Sequence, residues 1–267
     1  MPASVDIMHL HGFKCAGTTF AWILEKNFPG SVMYVESVRR GDRLPWQRVV
    51  GEVDLIGVRA VSSHLVTLPP EGDGFARINV AFVRNAAARL RSAYDFQRST
   101  GSLPVEGEDF GSFLKRIRTT TLANYQTRHI SVQDFGGWEA RQGWQLRPEL
   151  IRLNRDDLFV GLVERFDESL VLLERKLTGL GIEFDASYPS PQNRGTPRSE
   201  NRAPRVPKDM TELDDVLYDR VAQQLELDLQ EAHFPAALWD FQRRCESLRA
   251  NPPEVRVAGP DEWTYLA

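Results

Sequence analysis

Met8-His-Leu-His-Gly-Phe-Lys-Cys-Ala-Gly-Thr-Thr-Phe20 is the stretch on which the fold turns. The apolar run Val5 to Leu10, interrupted by Asp6, enters it as a strand. Gly12 and Gly17 bracket a tight loop, and Thr18-Thr-Phe-Ala-Trp-Ile-Leu24 leaves it with helical spacing. Strand, glycine loop and helix in that order aim backbone N–H groups and a helix N-terminus at one point, which makes an anion site. The glycine spacing is that of the nucleotide-hydrolase loop G-x-x-x-x-G-K-[ST]. Here, however, Thr18 stands where the lysine would be, and the lysine has moved into the loop as Lys14. Such a loop suits a nucleotide whose terminal group needs less charge neutralisation than a γ-phosphate beside magnesium. A plain glycine turn between a strand and a helix is the simpler alternative.

Working outward, strand and helix patterns alternate. Strands are expected at 31–35, 55–61, 77–83 and 158–163. Helices are expected at 86–97, 110–118, 122–130, 147–156, 168–177, 209–233 and 235–249. This alternation predicts an α/β fold, a P-loop-like parallel sheet flanked by helices on both faces, with helical additions. The 267 residues suit one α/β domain over 1–250, with 251–267 as an extended C-terminal tail. With 42% of residues hydrophobic there is material for a full core.

The net charge of -4 argues against a general nucleic-acid binder. Cys15 lies in the key loop and Cys245 in a late helix, so both are expected as free thiols in a reducing compartment. Asp6, His9, His11 and Lys14 near the start exclude a signal peptide or a transmembrane segment there, and the expected location is cytoplasmic. Neither CxxC nor HExxH occurs, so no metal is expected.

Several positions stand where open α/β sheets bind ligands, past the C-terminal ends of strands. His64 follows the strand expected at 55–61, although a surface histidine capping a turn fits equally well. Arg84 follows the clearest buried strand, and Ser92 lies two turns into the next helix. An arginine fork and a hydroxyl so placed can converge on a phosphate. Arg39, Arg40, Arg43 and Arg48 form either a basic rim or a solvated surface. Asn124-Tyr-Gln-Thr-Arg128 is an unusually polar patch. Trp138 and Trp144 flank a glycine loop that could stack on a sugar, or simply pack at the surface. Residues 187–207 are too polar to pack, and form either a linker or a basic flap over an anionic ligand.

Taken together these stretches resemble the carbohydrate-type sulfotransferases that use 3′-phosphoadenosine 5′-phosphosulfate (PAPS), the heparan and chondroitin branch and its bacterial relatives. His9 to Thr19 is similar to the family's phosphosulfate loop, HxPKxGGT[ST], with Lys14, Gly17, Thr18 and Thr19 on its functional positions. Phe13 replaces the proline and Ala16 the first glycine. Phe82-Val-Arg84-Asn-Ala-Ala-Ala-Arg89-Leu-Arg-Ser92-Ala-Tyr94 resembles the 3′-phosphate motif F-V-R-[DN]-P-x-x-R-x-x-S-x-Y, with Ala86 for the proline. Ser63-His64 resembles the Gly-His of relatives, whose histidine is a proposed base. Residues 124–128 and 160–169, Asn193-Arg194, and Asp215 with Tyr218 resemble later landmarks.

The resemblance implies transfer of a sulfuryl group from PAPS to an acceptor hydroxyl, leaving 3′-phosphoadenosine 5′-phosphate (PAP). It implies no metal, and a saccharide as the favoured acceptor. His64 and Lys14 would be catalytic. Lys14, Ala16, Gly17, Thr18, Thr19, Arg84, Ser92 and Arg194 would bind the nucleotide. Histidine's ordinary pKa of about 6.5 suits a general base near neutrality. Glu52 or another carboxylate is the alternative base. A small-molecule P-loop kinase and a non-catalytic nucleotide-binding module are the competing readings.

Overall fold

The structure, a computed structural model, describes residues 5–38, 43–131, 153–190, 205–230 and 233–267. Its centre is a six-stranded parallel sheet in the order β5-β4-β1-β3-β2-β6. The strands are β1 (Val5–Leu10), β2 (Val32–Ser37), β3 (Ala60–Ser63), β4 (Ala76–Val83), β5 (Leu158–Leu162) and β6 (Thr264–Leu266). Every adjacent pair is parallel.

Alternation along the central strands sends side chains to two cores. On one face Met8, Leu10, Ala81 and Val83 meet Val49 of α2 (Trp46–Glu52) and Leu217, Val221 and Leu225 of α7 (Glu212–Asp228). On the other, Ile7, Ile78, Val80 and Phe82 meet α1 (Gly17–Asn27), α6 (Phe166–Gly179) and α8 (Phe234–Ala250). Burying each Leu, Ile or Phe contributes about 1.5–3 kcal/mol, so two covered faces make this sheet the main source of stability. The expected α/β architecture is met. A third cluster, Leu90, Tyr94, Phe110, Phe113 and Ile117, joins α3 (Ala86–Ser99) to α4 (Phe110–Ile117) beside the sheet. Asn85 caps α3 by accepting from the Ala88 N–H at 3.1 Å, so the start that Ala86 leaves without a proline is set by the residue before it.

Some boundaries differ from expectation. The strand expected over 55–61 begins only at Ala60, because Gly57, at φ +77°, turns the chain and leaves Ile56 exposed. The stretch around Arg43 and Arg48, read only as a basic rim or a solvated surface, contains α2, whose Val49 is buried under the sheet. The helix expected over 122–130 shortens to α5 (Tyr125–His129), since Asn124 takes a left-handed conformation. In the expected tail, a single turn at Pro260–Glu262 leads into β6, which pairs with β2 and covers its open edge. Most of the helix expected at 147–156, Trp138 and Trp144, and most of the 187–207 segment lie outside the described residues.

Candidate anion and base site at the C-terminal edge of the sheet

All six strands point the same way, so their C-terminal ends share one edge, and β1 there has β3 on one side and β4 on the other. Three chain segments emerge together, His11–Ala16 after β1, His64 after β3 and Arg84–Asn85 after β4.

The loop after β1 is tightly wound. Lys14 and Ala16 both lie in the left-handed region, at φ +64° and +60°, whereas its two glycines do not. Left-handed backbone costs a non-glycine residue roughly 1–2 kcal/mol. Gly17 is required for a different reason. A Cβ there would lie 1.9 Å from His11 Cδ2, so the His11 ring rests directly on the first residue of α1. Ala16 is the N-cap and supplies no side-chain acceptor. Thr18 is exposed on the first turn and Thr19 is buried.

Two cations crowd this loop. Arg84 Nη1 donates to the Lys14 carbonyl at 3.5 Å, and its Nε is 4.0 Å from Glu164. The Lys14 ammonium rests over the Phe96 ring, 4.4 Å from its centroid. Burial, and then the neighbouring Arg84 charge, hold the Lys14 pKa below its ordinary value. The Cys15 thiol is pushed up to about 12 by burial, so it stays protonated and acts as a donor, not a nucleophile. Ser92 is half-buried one helical turn before Phe96, on the α3 face toward which Lys14 and Phe13 pack.

On the other side of the loop, His64 has a carboxylate partner. Glu36 Oε1, on β2, accepts from the His64 backbone N–H at 2.8 Å and lies 2.9 Å from its Nδ1. The His11 ring stacks on His64 at 4.0 Å and on His9 at 5.0 Å, and His9 Nδ1 lies 2.9 Å from Ser62 Oγ. Trp263, at the entry to β6, packs 5.9 Å from both His64 and Tyr34. Burial, reinforced by the His64 charge, lowers the His9 pKa to about 3. Burial, with the charges of His64, His9 and His129, also takes His11 well below the usual histidine range.

The structure thus brings Lys14, Ala16, Gly17, Thr18, Thr19, Arg84 and His64 to one edge, the His11 ring lying between Gly17 and His64. Ser92 approaches along α3. Arg194 lies outside the described residues. Glu52 is ion-paired to Arg48 on the solvent side of α2, and Arg43 donates to the carbonyls of Arg128 and His129, so neither arginine stands as part of a free basic rim; Arg39 and Arg40 lie outside the described residues. Asp215 is half-buried, and it is Asp214, in the first turn of α7, that is fully buried. The sequence reading missed Glu36, whose one signal is an acidic residue directly after the apolar run Val32 to Val35. It also missed Gln126, seen there only as part of a polar patch. A cleft of about 390 Å³ opens beside Ala16 and Thr19, lined further by Val163, Glu164, Phe166, Asp167 and Tyr188. Among the described residues no helix is long and apolar enough to cross a membrane.

No family model matches the chain. An uncharacterized protein of Archaeoglobus fulgidus is 28% identical over 207 residues, 68% of this chain and 77% of that one. Among solved structures, mouse sulfotransferase SULT7A1 complexed with PAP is similar at a TM-score of 0.42 and 14% identity, covering 91% of this chain and 90% of that one. A sulfotransferase from Alicyclobacillus acidocaldarius is similar at a TM-score of 0.36 and 13% identity, covering 93% and 97%.

Proposed function

We propose that this chain is a PAPS-dependent O-sulfotransferase. The observation that carries the reading is the meeting of Arg84 with the Lys14 backbone at the start of α1. Two cations and a helix N-terminus converge there, and the Lys14 charge is held at a disadvantage until an anion arrives. The residues fit such a donor on their own geometry. Gly17 leaves no room for a side chain because the His11 ring fills that place, and it opens α1, whose first-turn N–H groups can meet a phosphate. The cleft beside Ala16 and Thr19 has apolar walls for a base and the carboxylates of Glu164 and Asp167 to accept from ribose or amine groups.

When bound, PAPS supplies an activated sulfuryl group on a phosphate leaving group. Lys14 and the N–H groups of Gly17 to Thr19 stabilise the charge that grows on the leaving 5′-phosphate. Arg84 and Ser92 hold the 3′-phosphate, the group that separates this donor from ATP, and Arg194 adds to that contact. His64, its Nδ1 fixed by Glu36, offers Nε2 to the proton of the acceptor hydroxyl. The hydroxyl oxygen then bonds to sulfur as the sulfur–oxygen bond to the phosphate breaks. Neutralising little charge on the transferred group, the site has no need of a magnesium clamp. The family resemblance favours a saccharide acceptor.

Calorimetry without magnesium tests the donor. PAP should bind where ADP does not, and Arg84→Ala should weaken PAP by about 2 kcal/mol, roughly 30-fold, the worth of a charge-assisted hydrogen bond. Equal binding of ADP would move the reading to a kinase. PAP binding with no transfer to any acceptor would leave a nucleotide-binding module.

A further inference from the structure

Helix α5 touches both arms of the anion site. Gln126 Oε1 accepts from the Arg84 backbone N–H at 2.6 Å and from the Cys15 thiol at 3.3 Å. Its Nε2 donates to the Arg84 carbonyl at 2.8 Å. One side-chain amide therefore grips Arg84 at both its N–H and its C=O, and with the same oxygen holds the loop. The neighbouring Tyr125 hydroxyl accepts from the Phe13 N–H at 3.1 Å, a second hold on the loop from the same helix.

The grip is itself held. Gln126 is 2% exposed, and the carboxylate of Asp214 on α7, fully buried, accepts from the backbone N–H groups of Gln126 and Thr127 at 3.2 and 2.8 Å. Asp214 Oδ2 also lies 3.4 Å from Gln126 Nε2. Arg89, fully buried, donates to the Leu122 carbonyl at 2.6 Å and sits 5.0 Å from the Tyr125 ring centroid, so α5 is fixed from α3 as well. Asn124 completes the seat, donating to the Asp209 carbonyl and accepting from the Leu213 N–H, each at 3.0 Å.

We propose that Gln126 is a positioning residue that sets the span between the loop and Arg84, so that both arms meet one ligand carrying two phosphate groups. The assignment rests on the donor reading above. Only an amide serves here. It offers an acceptor to Arg84 N–H and Cys15 and a donor to the Arg84 carbonyl, all from one planar group. A glutamate would lack the donor and set a second carboxylate against Asp214; a methionine would keep the volume and lose every contact.

The two arms act on a doubly phosphorylated ligand as linked sites, so the second phosphate gains affinity only while the span is right. The readout is therefore the ratio of PAP affinity to 5′-AMP affinity, measured by calorimetry beside the thermal midpoint. Gln126→Met should weaken PAP by at least tenfold while 5′-AMP changes little, so that the ratio collapses. A role in stability alone would lower the midpoint and leave the ratio of the folded protein as it was, which overturns the proposal. Tyr125→Phe, which removes a single acceptor, should reduce the same ratio several-fold. It decides the matter if Gln126→Met does not fold, since an unchanged ratio there overturns the proposal equally. Wild-type protein that fails to bind PAP would remove the donor reading and this inference together. Wild-type binding with an unaltered ratio in the variants removes only the role of Gln126.

Discussion

The two halves of the proposed site are built in opposite ways. The anion half is nearly continuous in sequence: His11 to Thr19 forms the loop and the start of α1, and Arg84 joins it from the adjacent strand. The base half is assembled from three distant places, with His64 at the end of β3, Glu36 on β2 and Trp263 at the entry to β6. The first is held by backbone conformation and by an amide grip from α5. The second depends on side chains that meet only when the sheet has formed. A ligand that must be gripped by many N–H groups needs a local motif, whereas a proton acceptor needs only one ring at one distance and a partner to fix it.

The sharpest test of this division is to separate turnover from binding. His64→Ala should lower sulfuryl transfer by about 10²–10⁴ and leave PAP affinity unchanged. Glu36→Gln, which keeps an oxygen for the two N–H groups but loses the charge, should cost about tenfold in the same assay. Turnover intact in His64→Ala, or loss of PAP binding there, would reverse the assignment and break the comparison.

Acid should next reveal what the buried imidazoles cost. His9 has a folded pKa of about 3 against an ordinary 6.5, so the unfolded chain binds its proton more readily. The stability this contributes is fully present above pH 6.5 and is lost progressively as pH falls toward 3. Thermal midpoints of wild type should drop more steeply between pH 7 and 4 than those of His9→Gln. Parallel curves would show that His9 is not held neutral between the two halves.

The smallest effect belongs to the loop itself. Ala16→Gly relieves a left-handed alanine but releases a more flexible unfolded chain, for a net gain of about 0.5–1 kcal/mol and ~1–3 °C in the midpoint. A lower midpoint in calorimetry would mean that the Ala16 methyl does more than its backbone strain costs.

The same division explains what the sequence made legible. The loop, the parallel α/β architecture and the placement of Arg84 and His64 at strand ends all follow from local pattern and strand order. Glycine at 17 could be anticipated, but not its cause, since the His11 ring that occupies the Cβ position returns on it only in three dimensions. Glu36 was hidden because its partner is not its neighbour in sequence, and Gln126 because a buried amide looks like any other polar residue until its four contacts are seen. The short strand β6 carries almost no periodic signal, since three residues cannot establish alternation.

That strand sets a timetable. Glu36 pairs across to Tyr265, and Trp263 closes over His64, so the base half draws on residues the ribosome adds long after the loop, β3 and β4 have been made. During synthesis the loop and Arg84 can settle early while the His64 imidazole still lacks Trp263 beside it. If the proposed chemistry holds, competence should therefore arrive only once the segment from Trp263 to Leu266 has emerged, and a nascent chain halted before Trp263 should hold PAP without turnover.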